Sequence, residues 1–187
     1  MAGELDQVPP EGSLAPDSYE VDRGADRAAL LGEMADRQAR IMAEVWDTSA
    51  PDLPYDTPEE AMVMASIVEK ETGVPTERAQ VASVFVNRLR QGMRLQTDPS
   101  VIYGITKGEG ILGRGLRQSE LRAETPYNTY VIPALPPTPI ANPGKASIEA
   151  ALNPADTNFI FFVADGTGGH AFADNLADHK ANVARWR

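Results

Sequence analysis

The chain has 187 residues, 42% hydrophobic and 24% charged, which suits a globular protein of one domain with a sizeable core. Its 17 Lys and Arg face 27 Asp and Glu, a net charge of −10, so polyanions are repelled and nucleic acid is a poor partner. The absence of cysteine excludes disulfides, thiolate nucleophiles and cysteine zinc sites, and no apolar run of about eighteen residues exists to span a membrane.

The opening MAGELDQVPPEG lacks the basic and apolar regions of a signal peptide, which predicts either a cytoplasmic protein or a trimmed fragment. Residues 1–24 form an acidic, Pro- and Gly-rich lead-in with no core of its own, and the domain proper is expected over 25–187. From residue 25 to Trp46, the apolar positions Leu30, Leu31, Met34, Ile41, Val45 and Trp46 recur near the helical period. A Pro-rich connector leads to Thr57-Pro58-Glu59-Glu60. Thr57 suits the cap, Pro58 the first helical position, and Glu60 the closing acid of a capping box. The helix that follows is apolar almost all round from Ala61 to Val68, which predicts burial at the domain centre, and it should stop at Gly73 before Pro75.

A third helix is expected over Glu77–Arg90, with Val81, Val84, Phe85 and Leu89 on one stripe. The turn-rich segment from Gly92 to Pro143 contains a short helical candidate at Pro99–Tyr103, with Asp98 as a possible cap. Another short helix fits Ser147–Leu152. Phe159–Ala164 reads as a buried strand, Asp165–Gly169 (DGTGG) as a Gly-rich turn, and His170–Ala173 as the returning strand of a hairpin. A terminal helix fits Asp174–Arg187. The sum is an α+β fold: a mainly helical body with a small antiparallel piece.

Chemistry concentrates at the end of the greasy helix, in Glu69-Lys70-Glu71. Side chains two apart on a helix point about 200° from each other, so one site receives only one of the two acids. Glu71 continues the stripe of Met64, Ile67 and Val68, while Glu69 follows Met62, Ala65 and Ser66. A carboxyl held against apolar groups has a raised pKa, as a general acid near neutral pH requires. On spacing alone, an ion pair with Arg78, Arg88 or Arg90 is the commoner role for either acid. Ser66 has no nucleophile elbow around it and reads as core. DGTGG lacks the rest of a phosphate-binding loop. His170 and His179 make no close ligand pair, so neither a metal nor a cofactor is expected, and His179 reads as a solvated helix residue. His170 fits a structural or a substrate role equally. Tyr127-Asn128-Thr129-Tyr130 and Arg94–Asp98 combine rings, amides and hydroxyls suited to sugars, although such tyrosines can equally cover the core.

Five segments then carry a resemblance: ASIVEKET (65–72), VASVFVNRLRQGMRLQTDPSVIYGI (81–105), ETPYNTY (124–130), LPPTPIANPG (135–144) and FFVADGTGGHAF (161–172). In this order they resemble the MltG (YceG-like) family of endolytic murein transglycosylases, with weaker similarity back to EGSLAPDSYEV (11–21), where Ser13 and Ala15 replace larger apolar residues. The resemblance implies internal cleavage of peptidoglycan between N-acetylmuramic acid and N-acetylglucosamine. It implies 1,6-anhydro-muramyl ends, release of nascent strands, and a place at the periplasmic face of the inner membrane. Peptidoglycan synthases are implied as possible partners. The family's catalytic acid falls on Glu71. Gln96, Thr97, Tyr127, Asn128, Tyr130 and His170 are the expected substrate contacts. The family's membrane helix and LysM-like subdomain are absent, so the chain looks like an excised catalytic domain. Two other functions stay open: a hydrolytic muramidase with Asp98 as partner acid, and a non-catalytic wall-binding or scaffold module.

Overall fold

Gly12 anchors the lead-in to the body. Its φ of +84° is the left-handed region, and a Cβ there would stand 2.7 Å from Cγ of Pro139, so only glycine fits. The structure, a computed structural model, describes residues 7–186; residues 1–6 of the lead-in and Arg187 lie outside them. The described part of the lead-in packs against the body. Ala15 is buried despite its small size and bonds through its N–H to the Met34 carbonyl (3.1 Å). Buried Gln38 donates to the carbonyls of Gly12 (3.2 Å) and Pro143 (3.0 Å), joining lead-in and loop to one helix.

That helix, α1 (Arg27–Trp46), is capped by Asp26, which accepts from the Ala28 N–H, and buries Gln38, Met42 and Val45. The central helix α2 (Pro58–Glu71) begins as expected, with Thr57 accepting from the Glu60 N–H. Glu60 reaches one residue further back than a capping box requires and accepts from Asp56, not Thr57. Every residue from Val63 to Val68 is buried. The helix ends at Glu71, with extended Thr72 as its C-cap, before a single 3-10 turn over Pro75–Glu77. Then α3 (Arg78–Arg90) packs beside it, and Phe85, Met64, Ile67 and Leu95 are fully buried between them and their neighbours. Burying each such side chain is worth about 1.5–3 kcal/mol, which fixes α2 as the axis of the core.

The long irregular segment carries α4 (Asp98–Thr106), closed by left-handed Lys107 (φ 52°), and the single turn α5 (Gln118–Leu121). Asp98 is the first helical residue rather than the cap; Thr97 takes the cap position but spends its hydroxyl elsewhere. Next, α6 (Lys145–Leu152) lies against α2, α3 and α1. Tyr55 donates its hydroxyl to the Ala151 carbonyl, and burial raises its pKa. The hairpin pairs β1 (Phe161–Ala164) with β2 (His170–Ala173) antiparallel, Phe162 opposite Phe172 and Ala164 opposite His170. β1 is half-buried rather than buried, and its expected first residues lie outside it: the Phe159 and Ile160 carbonyls accept from Asn87 and Arg88 of α3. Helix α7 (Leu176–Trp186) covers the hairpin, and His179 stacks on Phe161 at 4.8 Å instead of standing in solvent. The described residues thus form an α+β fold, mainly helical, with one two-stranded antiparallel sheet.

Candidate active site

Helix α2 delivers its two acids to different places. Oε2 of Glu69 accepts from the Gly144 N–H (3.2 Å) and the Ser147 hydroxyl (2.6 Å), so Glu69 caps the first turn of α6. Glu71 turns the other way, toward the 95–98 segment, where the Thr97 hydroxyl donates to its Oε1. Oε2 accepts no hydrogen bond from the described residues.

Burial pushes the Glu71 carboxyl up from the ordinary glutamate range; the Thr97 hydrogen bond opposes this, Asp98 adds to it, and His170 and Arg88 oppose it more weakly. A helix C-terminus is also a poor place for an anion. No ion pair among the described residues includes Glu71. None of Arg78, Arg88 and Arg90 makes an ion pair with it among the described residues. Buried Arg88 donates to the main-chain carbonyls of Ile160 (2.6 Å) and Leu95 (2.7 Å), and its guanidinium lies 5.2 Å from the Phe161 ring centre. Arg90 donates to the Asp52 carbonyl (3.0 Å). Arg78 has its Nε buried without a partner.

Arg88 therefore ties the strand side of the site to the loop side. Leu95, buried in the core, leads to Gln96, whose φ of 53° is left-handed, and the chain turns there to bring Thr97 over Glu71. Thr97 is held in turn by Thr129: the Thr97 N–H donates to Thr129 Oγ1 at 2.9 Å, and that hydroxyl stands 2.9 Å from Ser100 Oγ. Tyr130 donates to Oδ1 of Asp98 (2.6 Å) beside the same carboxyl, and burial with the Asp98 bond raises the tyrosine pKa. His170 presents Nδ1 to Glu77 Oε2 at 2.7 Å, and its main-chain N–H donates to the other oxygen of Glu77 (3.1 Å).

The expected contact residues divide accordingly. Thr97, Tyr130 and His170 gather around Glu71, and exposed Gln96 borders them. Thr97 is almost completely buried and spends its hydroxyl on Glu71. Asn128 is fully buried: its amide donates to the Glu120 and Ala123 carbonyls, and its oxygen accepts from the Tyr130 N–H. Tyr127 stands apart, its ring 5.0 Å from Tyr103, with Lys107 Nζ 4.1 Å from its centre and its hydroxyl 2.8 Å from that of Thr138. Arg88, Thr129 and Glu77 were not singled out as site residues by sequence. Glu77 lies 93 residues from its partner His170, and no local pattern links them. Asp165 accepts from Thr167 and Gly169, so DGTGG closes the hairpin upon itself.

A carboxyl whose pKa is raised by burial and which is held through one oxygen is suited to donate a proton and take one back. Known proteins share this framework. The sequence model described as the YceG-like family matches residues 2–185. A protein of Bacillus subtilis named endolytic murein transglycosylase is 41% identical over 118 residues, 63% of this chain and 32% of the relative. One of the same name from Streptococcus pneumoniae D39 is 32% identical over 93% of this chain and 32% of its own length. The chain thus spans about a third of these curated relatives. The crystal structure of a YceG-like protein from Listeria monocytogenes superposes with a TM-score of 0.76 at 33% identity, over 91% of this chain and 54% of that one. With the family model spanning nearly every residue and the crystal structure sharing its architecture, the chain belongs to the YceG-like family.

Proposed function

We propose that the chain cuts peptidoglycan glycan strands internally as a lytic transglycosylase, with Glu71 as its acid and base. The observation that carries this reading is the Glu71 carboxyl itself: desolvated, unpaired by any arginine and oriented by Thr97. The names of the relatives point to the same substrate and reaction. Protonated Glu71 gives its proton to the glycosidic oxygen as the bond to C1 of N-acetylmuramic acid breaks, and the N-acetylglucosamine hydroxyl leaves. Charge builds on the ring in an oxocarbenium-like state. The ionised Glu71 then takes the proton from the muramyl C6 hydroxyl as that oxygen closes on C1, giving the 1,6-anhydro end. No water is consumed, and the nucleophile belongs to the substrate, so one acid suffices.

The expected setting is the periplasmic face of the inner membrane, beside synthases whose nascent strands the cut would end. No helix among the described residues is long and apolar enough to cross a membrane.

A second reading is favoured by Asp98, whose charge is close enough to raise the Glu71 pKa. With Asp98 activating a water, the product would be that of a muramidase. Digestion of purified peptidoglycan, with mass spectrometry of the fragments, tests both. Transglycosylation gives anhydro-muropeptides with wild type and none with Glu71→Gln. Products heavier by one water, with reducing ends, identify hydrolysis. Binding to sacculi without any soluble product identifies a wall-binding module.

A further inference from the structure

Glu77 and His170 form a pair that the proposed chemistry does not use. Both oxygens of Glu77 serve it: Oε1 accepts from the His170 main-chain N–H (3.1 Å), and Oε2 meets ring Nδ1 at 2.7 Å. A carboxylate has no proton to give, so Nδ1 carries the hydrogen, and in the neutral ring Nε2 keeps its lone pair. Nε2 has no partner among the described residues and is not enclosed by them. The ring is held in place. Its side chain is only 15% exposed, and Phe162 packs against it nearly at a right angle, with centres 5.3 Å apart. The last glycine of the 165–169 turn serves the same pair. A Cβ on Gly169 would stand 2.7 Å from Oε1 of Glu77 and would push the carboxylate away from His170.

The pair lies just beyond the helix that carries Glu71. Glu77 sits in the 3-10 turn reached from Glu71 through Thr72–Val74, and His170 is within electrostatic reach of the Glu71 carboxyl. Asp165 also senses this ring, but its Oδ1 accepts from Thr167 and Gly169 of its own turn. Nε2 is thus an unfilled acceptor on a fixed ring, beside the acid.

A muramyl unit inside a glycan strand has one free hydroxyl, at C6. Its C1 and C4 carry glycosidic bonds, C2 the acetamido group and C3 the lactyl ether. That hydroxyl is the nucleophile of the proposed reaction. Until the glycosidic bond breaks, Glu71 is a proton donor whose Oε1 already accepts from Thr97, so the hydroxyl calls for an acceptor elsewhere. We propose that Nε2 of His170 is that acceptor and that Glu77 positions it. The C6 hydroxyl donates to Nε2 while Glu71 protonates the leaving oxygen. Its proton then passes to the ionised Glu71 as the C6 oxygen bonds to C1. The inference rests on the transglycosylase reading above.

His170→Asn is the discriminating variant. The asparagine Nδ2 takes the place of Nδ1 and can still donate to Glu77, while nothing replaces Nε2. The variant is expected to melt with wild type and to lose roughly tenfold or more in kcat. A pair that only staples the turn to the strand would survive this change, so wild-type kcat overturns the proposal. Glu77→Gln can offer Nδ1 either a donor or an acceptor, so the ring proton divides between the two nitrogens. Its kcat is expected to fall with the share of bare Nε2, read by ring-nitrogen NMR; a kcat indifferent to that share overturns the role of Glu77. Contact is read separately on the Glu71→Gln chain, by the same NMR. It is titrated to saturation, judged from main-chain amides, with short glycan strands and with the same strands O-acetylated at the muramyl C6. Nε2 is expected to shift with the free hydroxyl alone; equal shifts, or none, overturn the proposal. If wild type releases no anhydro products and the free-hydroxyl strands still shift Nε2, the transglycosylase reading fails and the hydroxyl contact stands.

Discussion

Thr97 donates its hydroxyl to Oε1 of Glu71 across 26 residues of sequence, and in doing so gives up the capping bond that its place before α4 would allow. A hydrogen bond to the charged form favours that form, so Thr97 restrains a carboxyl that burial pushes up. Thr97→Val removes the donor at nearly constant volume, and the Glu71 pKa rises further. With Glu71 as the proposed acid, activity is expected to fall as pH rises through that value, and the alkaline limb of the kcat/KM profile to move to higher pH in the variant. Looser orientation of the carboxyl lowers kcat by roughly 10- to 100-fold. Thr97→Ser restores both the limb and the rate. A pH–rate profile of the three proteins checks this.

Glu71→Gln separates stability from activity. The folded-state pKa of Glu71 lies above its unfolded value, so its contribution to stability is full below the ordinary glutamate range, about pH 4, and is lost as pH rises through the folded pKa. Glutamine never ionises, and its oxygen still accepts from Thr97. The variant is therefore expected to melt higher than wild type at pH 7 and level with it near pH 4, while releasing no anhydro-muropeptides. Thermal melts across pH measure the first effect and product analysis the second.

Glu69→Gln is the paired control with the opposite signature. Glu69 caps α6 through Gly144 and Ser147 and does not reach the Glu71 site. Its loss of charge at a helix N-terminus weakens both bonds, at a cost of about 0.5–2 kcal/mol. The variant is expected to unfold at lower denaturant and to keep its product pattern. Loss of product with unchanged stability would assign the chemistry to the wrong acid.

What the sequence disclosed was local. Thr57-Pro58 starts a helix and Asp165–Gly169 closes a hairpin because the necessary atoms lie within a few residues of each other. Glu71 and Glu69 part because helical geometry alone turns them away from each other. The two stripes behind them are alike in burial, with Ala65 and Ser66 as deeply buried as Ile67. Contacts between distant segments were illegible. Arg88, one of three arginines expected to pair with an acid, instead reaches main-chain carbonyls on two sides of the site, and the Glu77–His170 pair joins a 3-10 turn to a strand.

Asn128 shows why residue type alone misleads, and it sets the last prediction. An amide between two tyrosines has the same appearance whether it meets a sugar or a carbonyl; burial decides, and Asn128 is fully buried with three protein partners. Asn128→Ala leaves the Tyr130 N–H without its acceptor, while the Glu120 and Ala123 carbonyls keep the N–H groups of Ala123 and Thr125, so the loss of stability is expected to be about 1–3 kcal/mol. Tyr127→Phe removes only an exposed hydroxyl pair with Thr138, so its cost is expected to stay within about 0.5 kcal/mol. The fraction of Asn128→Ala that remains folded should bind glycan with an unaltered KM, because this buried side chain does not reach the ligand and Tyr130 stays anchored to Asp98 through its hydroxyl. Denaturant titrations beside Michaelis profiles, taken well below the melting temperature of the variant, read both effects. A raised KM at full stability would return Asn128 to the binding surface.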